Sequence, residues 1–466
     1  MKRWLSSGLV ASAVQLTAAA IAGAQSQPPG APAAPSPSPS VAAASAPELE
    51  RGSGSLLTLE QALRIAHEHE PSLRQAHATT EVNAARVDQA RAPLLPQVVG
   101  TLGYTRSTSN YAPQPGLPFR PGAAPPTSFD TYNSFKAGVQ ANQLIYDFGQ
   151  TTGKYDSAKA TLLGQVETEH AAALLVELNV RAAYFNVAAA AAMLQVASET
   201  LANQEHHKAQ IQGFVEVGSR PEIDLAQART NLANARLGVI QADGAHRAAK
   251  AQLNQAMGSP DQPDYEVSGE TLVTVDGEEK PASVLMDEAL RQRPEFRSLV
   301  EQRKAQELVL RSVEGGYWPS LNASTGLTEA GAQLGSMAWN WNAGLALNWP
   351  LFQGGITKGQ AREAHATLLV IDAKLEVLRC QVRLDLEQAW LAVRTAKEAQ
   401  TAANEALISA RLQLGLAEGR YATGVGNALE LADAQLALSN ARAQQVQSVF
   451  NLAVARAQLL KALGRA

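Results

Sequence analysis

The sequence predicts a mainly α-helical chain with a smaller part made of transmembrane-type β-strands, built from two copies of one unit. The first observation is an internal repeat without gaps, in which Ala137 falls on Ala343 and Gly149 on Gly355 at one constant offset. The second is a strand-like alternation at the start of each copy. The third is the helical pattern that follows, which is far longer than an average globular helix. We therefore expect four strands and long, coiled-coil-like helices.

The N-terminal residues carry export signals. Lys2 and Arg3 precede an interrupted apolar run, and residues 22–24 form a small-residue cleavage site. This pattern predicts a signal peptide over residues 1–24. A membrane anchor is the weaker alternative, because the run is shorter than the roughly 20 residues that span a bilayer. Residues 25–56 are rich in Ala, Pro and Ser and predict an extended, disordered arm.

Composition restricts the classes of function. A net charge of −4 gives no reason to expect nucleic acid as a partner. The single cysteine, Cys380, excludes an intramolecular disulfide. It is predicted to be a small buried apolar residue, and a reactive thiol is the weaker alternative. His206 and His207 are adjacent and should point to different helix faces, so we predict surface histidines, no metal site and no cofactor. No apolar run of about 18 residues follows the signal, so a membrane role must use strands.

Each copy begins with a helix that ends at a proline. A helical period covers about 58–92 in the first half and about 283–315 in the second. Pro96 and Pro319 follow these helices at matching places. The duplicated unit therefore extends backwards beyond the part in which the repeat is strongest.

Four alternating segments follow these helices, in two hairpins. They lie at about 97–107, 135–146, 319–328 and 339–350. Their lengths suffice to cross a bilayer when tilted, and aromatic residues at the ends of one face are typical of membrane barrels. The predicted aromatic belt consists of Tyr104, Trp339, Trp341 and Trp349. A soluble, half-buried sheet is the alternative.

Two hairpins cannot close a barrel, and open sheet edges are not tolerated in lipid. If the strands enter a membrane, several chains must share one barrel.

Beyond Gly149 and Gly355 each copy continues as a long helical hairpin. The first copy predicts a helix of roughly 60 residues, about 90 Å long at 1.5 Å per residue, with a turn near 217–221. The second copy turns near 423–427. Repeat 1 is thus assigned to residues 57–258, a linker to 259–282 and repeat 2 to 283–466. One long helix is expected to pack against two shorter helices placed end to end.

At this point the chain resembles the TolC-like outer-membrane efflux proteins, which are the exit ducts of tripartite efflux pumps and type I secretion systems. The resemblance covers residues 57–464 and rests on the duplicated element order together with three motifs. These are the segment ending the last strand, Asn348–Gly355, the turn motif Arg420–Gly424, and the following Leu429–Ala434. No single motif is specific, but their combination, in duplicate, is.

The resemblance implies a homotrimer in the outer membrane with a shared twelve-stranded barrel and helices that extend into the periplasm. It also implies a passive conduit with a gated periplasmic entrance, contact with outer-membrane lipid, a periplasmic adaptor protein as partner, and indirect coupling to an inner-membrane transporter.

The resemblance also implies roles for particular residues. It assigns the gate at the periplasmic entrance to Asp224, Glu430, Asp433, Tyr421 and Arg220. In this assignment, Gly426 stands where some relatives carry an arginine, and Arg220 is the candidate substitute. The alternative is that the carboxylates near helix starts only complement the helix dipole, which contributes about 0.3 to 1 kcal/mol.

The two turns carry the predicted adaptor contacts. The resemblance assigns these contacts to Val217, Gly218, Ser219, Thr423, Gly424 and Val425. The alternative is a plain helix–helix turn that requires glycine for its backbone angles.

Two other classes of function compete with the channel. A periplasmic coiled-coil scaffold without channel activity would need the same helices and a soluble sheet. An enzyme is disfavoured, since the sequence offers no nucleophile–base pair, no metal cluster and no glycine-rich phosphate loop.

Overall fold

The computed structural model describes residues 55–108, 129, 131–259, 265–269 and 274–465. The predicted signal peptide and nearly all of the predicted arm lie outside the described residues. The same holds for much of the loop between the first two long strands and for parts of the linker.

The described chain is mostly helical and carries a few strands, which confirms the coarse fold class. The helices are α1 Leu59–His69, α2 Pro71–Arg91, α3 Gln150–Glu216, α4 Glu222–Ala256, α5 Ala282–Gln292, α6 Pro294–Gly315, α7 Ile356–Ala422 and α8 Ala428–Leu463. The strands are β1 Ser55–Leu57, β2 Gln97–Ser107, β3 Tyr132–Tyr146, β4 Tyr265–Val267, β5 Ser320–Gly331 and β6 Ala338–Asn348. The long helices α3 and α7 have 67 residues each, so each extends about 100 Å.

The prediction of one continuous helix before each strand pair is wrong. Glu70 has an extended backbone with φ −67° and ψ 121°, and Arg293 repeats it with φ −64° and ψ 119°. Each of them precedes a proline, Pro71 or Pro294, which begins the next helix. A residue before proline is pushed out of the α region, so the helix breaks there.

Strands β2, β3, β5 and β6 form one antiparallel sheet in that order. Residues paired across neighbouring strands lie on the same face, and Trp341 pairs with Leu327, which pairs with Val139. One residue along, Asn340 pairs with Thr328 on the opposite face. The sheet therefore has one largely apolar and one largely polar face. Within the described chain, the outer edges of β2 and β6 pair with no strand.

The junctions between sheet and long helices are nearly identical in the two copies. Gly149 and Gly355 cap α3 and α7 with φ of 87° and 85°, a left-handed conformation that glycine adopts without strain. The residue before each cap is also left-handed, Phe148 in the first copy and Gly354 in the second. Phe148 is held there by stacking on Trp318, with ring centroids 5.4 Å apart.

Near the sheet, α3 contacts α2 and α6, and α6 contacts α7. Near the two helix turns, α3 contacts α4 and α8, and α8 contacts α7. Small residues permit the closest approach: a Cβ on Gly153 would lie 2.9 Å from the Cβ of Ser312. The two largest buried clusters lie between these regions, one around Tyr184 and one around Leu386.

Two sequence predictions about the long helices are wrong. Helix α3 contradicts the first, that no helix beyond the signal can span a bilayer: among the described helices, it alone contains an 18-residue window apolar enough to do so by length and composition. Such a single helix is weak evidence for a span, and 28% of that window is buried within the protein. Cys380, predicted to be buried, is exposed, because its face of α7 points away from the neighbouring helices.

Candidate functional site

The candidate site lies where the two helical hairpins reverse direction. We define hairpin A as α3, turn A (residues 217–221) and α4, and hairpin B as α7, turn B (residues 423–427) and α8. Gly218 and Gly424 have φ of 74° and 78°. The amide of the next residue donates back into the helix, Ser219 to Phe214 over 2.9 Å in turn A. Both turns therefore use the same left-handed helix ending, which requires glycine.

The residues predicted to contact an adaptor are exposed. Val217 is 77% exposed and Val425 is 73% exposed, so each turn presents one bare aliphatic side chain. Gly218, Ser219, Thr423 and Gly424 are also exposed.

Side-chain contacts within hairpin B stabilise turn B. The Asn427 side chain accepts a hydrogen bond from the Glu430 amide at 2.7 Å and caps α8. The guanidinium Nε of Arg420 lies 3.1 Å from the Glu430 carboxylate, so this acid forms an ion pair inside its own hairpin. Both side chains remain about half exposed.

Tyr421 is the buried centre of the site, and its side chain is 6% exposed. The guanidinium of Arg220 lies 4.8 Å from its ring centroid, and the His207 ring lies 5.9 Å away in an edge-on arrangement. Burial raises the pKa of Tyr421; the positive charge of Arg220 opposes this and the carboxylate of Asp224 adds to it. The tyrosine hydroxyl has no hydrogen-bond partner among the described residues.

Tyr421, Arg220 and Asp224 are thus brought together, whereas Asp433 lies apart from them. Asp433 is exposed and lines a crevice of about 500 Å³ between α3, α4 and α8. No described residue forms an ion pair with it.

Gly426 leaves no room for a side chain without adjustment. Its amide donates to the Arg420 carbonyl at 2.8 Å. A Cβ there would lie 3.0 Å from the Tyr421 amide nitrogen and 3.1 Å from the Arg420 carbonyl carbon. The positive group beside Tyr421 comes instead from turn A, as Arg220.

A second crevice, of about 450 Å³, lies between α3, α7 and α8, and no motif in the sequence marks it. His207, predicted to be on the surface, is 7% exposed and lines this crevice together with Tyr421. Burial lowers the pKa of His207, and the charge of His206 lowers it further. The prediction failed because adjacency to His206 does not reveal which face is inward. The spacing of buried Gln204, His207 and Ile211 does, since it follows one side of a helix.

Polar contacts join the hairpins across this region. Gln204 donates to the Gln435 side chain at 2.8 Å, and Arg442 lies 3.0 Å from Glu199. The side-chain amide oxygen Oε1 of Gln204 has no hydrogen-bond partner among the described residues. Around this crevice the contact between hairpins is therefore largely polar, whereas α7 and α8 within hairpin B meet mainly through apolar side chains.

The predicted aromatic belt lies at both ends of the apolar sheet face. Trp339 and Tyr104 lie toward the end remote from the long helices, and Trp349 lies at the helical end. The indole of Trp349 donates to the Tyr317 carbonyl at 3.3 Å. Phe148 and Trp318, which are not part of the predicted belt, lie at the same end as Trp349. Among the described residues, no group of three or more His, Cys, Asp or Glu could hold a metal ion.

Comparison with known proteins gives consistent matches along the chain. The family model "Outer membrane efflux protein" matches residues 50–259 and 285–465. The outer membrane protein TolC of Escherichia coli K12 is 24% identical over 444 residues, covering 88% of this chain and 82% of TolC. The outer membrane efflux protein BepC of Brucella suis is 25% identical over 419 residues, covering 88% of this chain and 85% of BepC.

Solved structures share the fold. A crystal structure of CusC aligns with a TM-score of 0.75 and 21% identity, covering 90% of this chain and 96% of CusC. The Campylobacter jejuni outer membrane channel CmeC aligns with a TM-score of 0.75 and 22% identity, covering 87% of this chain and 85% of CmeC.

Proposed function

The chain belongs to the outer membrane efflux protein family and is an outer-membrane efflux channel protein, and on that premise we propose that three copies assemble into one gated conduit. The conduit is passive, and an inner-membrane transporter drives export through a periplasmic adaptor. The cargo passes from the helical part, in the periplasm, through a shared barrel to the exterior.

The observation that carries this proposal is the four-stranded sheet with two faces and two open edges. Lipid cannot satisfy the unpaired backbone groups of β2 and β6, so the edges must pair with strands of other copies. Three copies supply twelve strands, an even number typical of bacterial barrels. The face with Trp341 and Leu327 would contact lipid, and the face with Asn340 and Thr328 would line the lumen.

The arrangement of the helices also favours a conduit that is closed by several copies of the chain. Near the turns, contacts run from α4 through α3 and α8 to α7, so that α4 and α7 end the row. In its half nearer the sheet, where it contacts α6, helix α7 exposes apolar side chains at seven-residue intervals, a coiled-coil spacing that no described helix covers. These residues are Val370, Val377, Leu384 and Leu391. We assign this stripe to contact with the next copy.

We propose that the entrance is closed at the turns. Threefold symmetry would bring three copies of Glu430 and Asp433 around one axis, where their negative field favours cations. Tyr421, Arg220 and Asp224 would hold hairpin B in the closed position. Arg220 would then supply the positive charge that some relatives carry at the position of Gly426. The exposed turns, with Val217 and Val425, would meet the adaptor.

The test is single-channel conductance of the purified protein in a planar bilayer. The variant Glu430→Ala/Asp433→Ala is compared with wild type and with Glu216→Ala/Glu222→Ala, which removes the same charge from hairpin A. We expect trimers whose conductance prefers cations, a loss of that preference in the first variant, and its retention in the second. Failure of wild type to insert under conditions that fold other barrels would favour the periplasmic scaffold instead.

A further inference from the structure

The crevice containing His207 lies on the boundary between the two hairpins. His207 belongs to α3 of hairpin A, and its ring contacts Tyr421 on α7 of hairpin B. Its imidazole is nine-tenths buried, as are Tyr421 and Gln204, two side chains whose oxygens have no partner among the described residues. The crevice thus holds two buried polar atoms to which no described residue forms a hydrogen bond.

The charges around His207 give no compensation for a positive imidazolium. The titratable or charged groups that line its crevice or surround Tyr421 are His206 on α3, Glu418 on α7, Arg442 on α8, Arg220 in turn A and Asp224 on α4. Arg442 is paired with Glu199, and Glu418 is exposed to solvent. Burial is the largest influence on the pKa of His207, and no carboxylate raises it.

We propose that His207 is a proton-operated latch between the hairpins, a regulation that rests on the proposed channel function. Neutral His207 packs edge-on against Tyr421 and keeps hairpin B against hairpin A. A proton on the imidazole places an unpaired charge in the crevice, which is relieved when hairpin B moves away and water enters. Acidification of the periplasmic side therefore opens the entrance.

The direction follows from the lowered pKa of His207 in this structure, where the two hairpins are in contact. An open entrance exposes the imidazole, so its pKa returns toward the ordinary value near 6.5. The open state then binds the proton more tightly. The closed state loses stability as the pH falls below that ordinary value, and the loss is complete below the lowered pKa.

The experiment measures conductance of the full-length mature protein with the periplasmic side at pH 7.5 and then at pH 5.5. His207→Gln keeps a polar side chain without the titration, and His206→Gln removes the exposed neighbour as a matched control. We expect the open probability of wild type and of His206→Gln to rise roughly fivefold or more on acidification. We expect His207→Gln to remain unchanged.

Hydrogen exchange of residues 414–431 in detergent, corrected for intrinsic rates, is the second readout. Acid should reduce protection there in wild type and not in His207→Gln. A pH response that persists in His207→Gln, or channels whose opening does not depend on pH, would overturn the latch and leave the channel intact. If wild type forms no channel at either pH, the proposed function fails, and the exchange data alone decide whether His207 couples the hairpins.

Discussion

Hairpins A and B descend from one repeated unit, yet their turns are held by different means. The backbone is the same: Gly218 and Gly424 are both left-handed and lack any atom within 4 Å of an added Cβ. The side chains have diverged. Asn427 caps α8 with a hydrogen bond, whereas Pro221 caps α4 with none.

The position beneath each turn differs as well. Tyr421 in hairpin B is buried, and the matching position in hairpin A is Val215, which is half-buried. The two turns thus share the glycines that their backbone conformation requires and differ in the side chains around them. The turn of hairpin B is the one held by specific, breakable contacts, which the proposed gate would need in its moving part.

The largest effect that separates the hairpins is expected from Tyr421→Ala. Removing a buried aromatic side chain should destabilise hairpin B locally by about 3 kcal/mol. Phe214→Ala in hairpin A, where the ring is 38% exposed, should cost clearly less. Hydrogen exchange of both turns measures the two losses. Tyr421→Phe is a second control and should be nearly neutral, because the lost hydroxyl has no hydrogen-bond partner in the described chain. Equal losses for the two alanine variants would contradict the asymmetry.

The shared backbone predicts equal effects of Gly218→Ala and Gly424→Ala. Each forces an L-residue into the left-handed region, at roughly 1 to 2 kcal/mol, with no steric clash to add. Thermal unfolding of the detergent-solubilised protein, together with exchange at each turn, should show matched losses. A much larger loss at Gly424 would mean that turn B is shaped by its side chains and not by the common backbone.

The helix caps sharpen the comparison at a smaller scale. Asn427→Ala should cost about 1 kcal/mol, since it removes the acceptor for the Glu430 amide. Pro221→Ala should cost less, because Pro221 makes no such bond. Exchange rates of the first amides of α8 and α4 report each cap. Asn427→Asp, which preserves an acceptor, should restore most of the protection.

The smallest effect is expected from the ion pair of Arg420 and Glu430. Both side chains are about half exposed, so a double-mutant cycle with Arg420→Gln and Glu430→Gln should give a coupling of about 0.5 kcal/mol. This coupling should shrink at high salt, because exposed charges are screened. A large, salt-independent coupling would show that the pair is desolvated, as contact with a neighbouring copy would produce.

Much of the fold could be predicted because it follows from the regular spacing of apolar residues and from the internal repeat. Strict alternation places Trp339 and Trp341 on one face, and pairing with β5 keeps them there. The repeat offset predicts that Gly149 and Gly355 occupy the same place, and both are left-handed caps. The helix breaks were not predicted because the apolar residues on either side of Glu70, such as Ala66 and Leu73, keep a helical period. Only the steric effect of Pro71 on its neighbour decides against it.

The site could be predicted only in part, because it depends on packing between distant segments. Tyr421, Arg220 and Asp224 do lie together, while their roles as a gate stay a prediction. The sequence predicts an exposed His207 and a buried Cys380, whereas His207 is buried and Cys380 is exposed. A single histidine or cysteine on a long helix has no local signal for burial, since the face it occupies is decided by which helices pack around it.

The open edges of β2 and β6 also bear on how the protein is made. A chain that has reached the periplasm but has not met its neighbours presents two rows of unpaired backbone groups beside an apolar face, the arrangement that promotes aggregation. In the proposed trimer, the lifetime of that state would depend on the supply of other copies, because pairing of the edges is a reaction between molecules. Biogenesis should therefore be steeply sensitive to expression level, with low levels leaving monomers exposed for longer and high levels favouring off-pathway pairing.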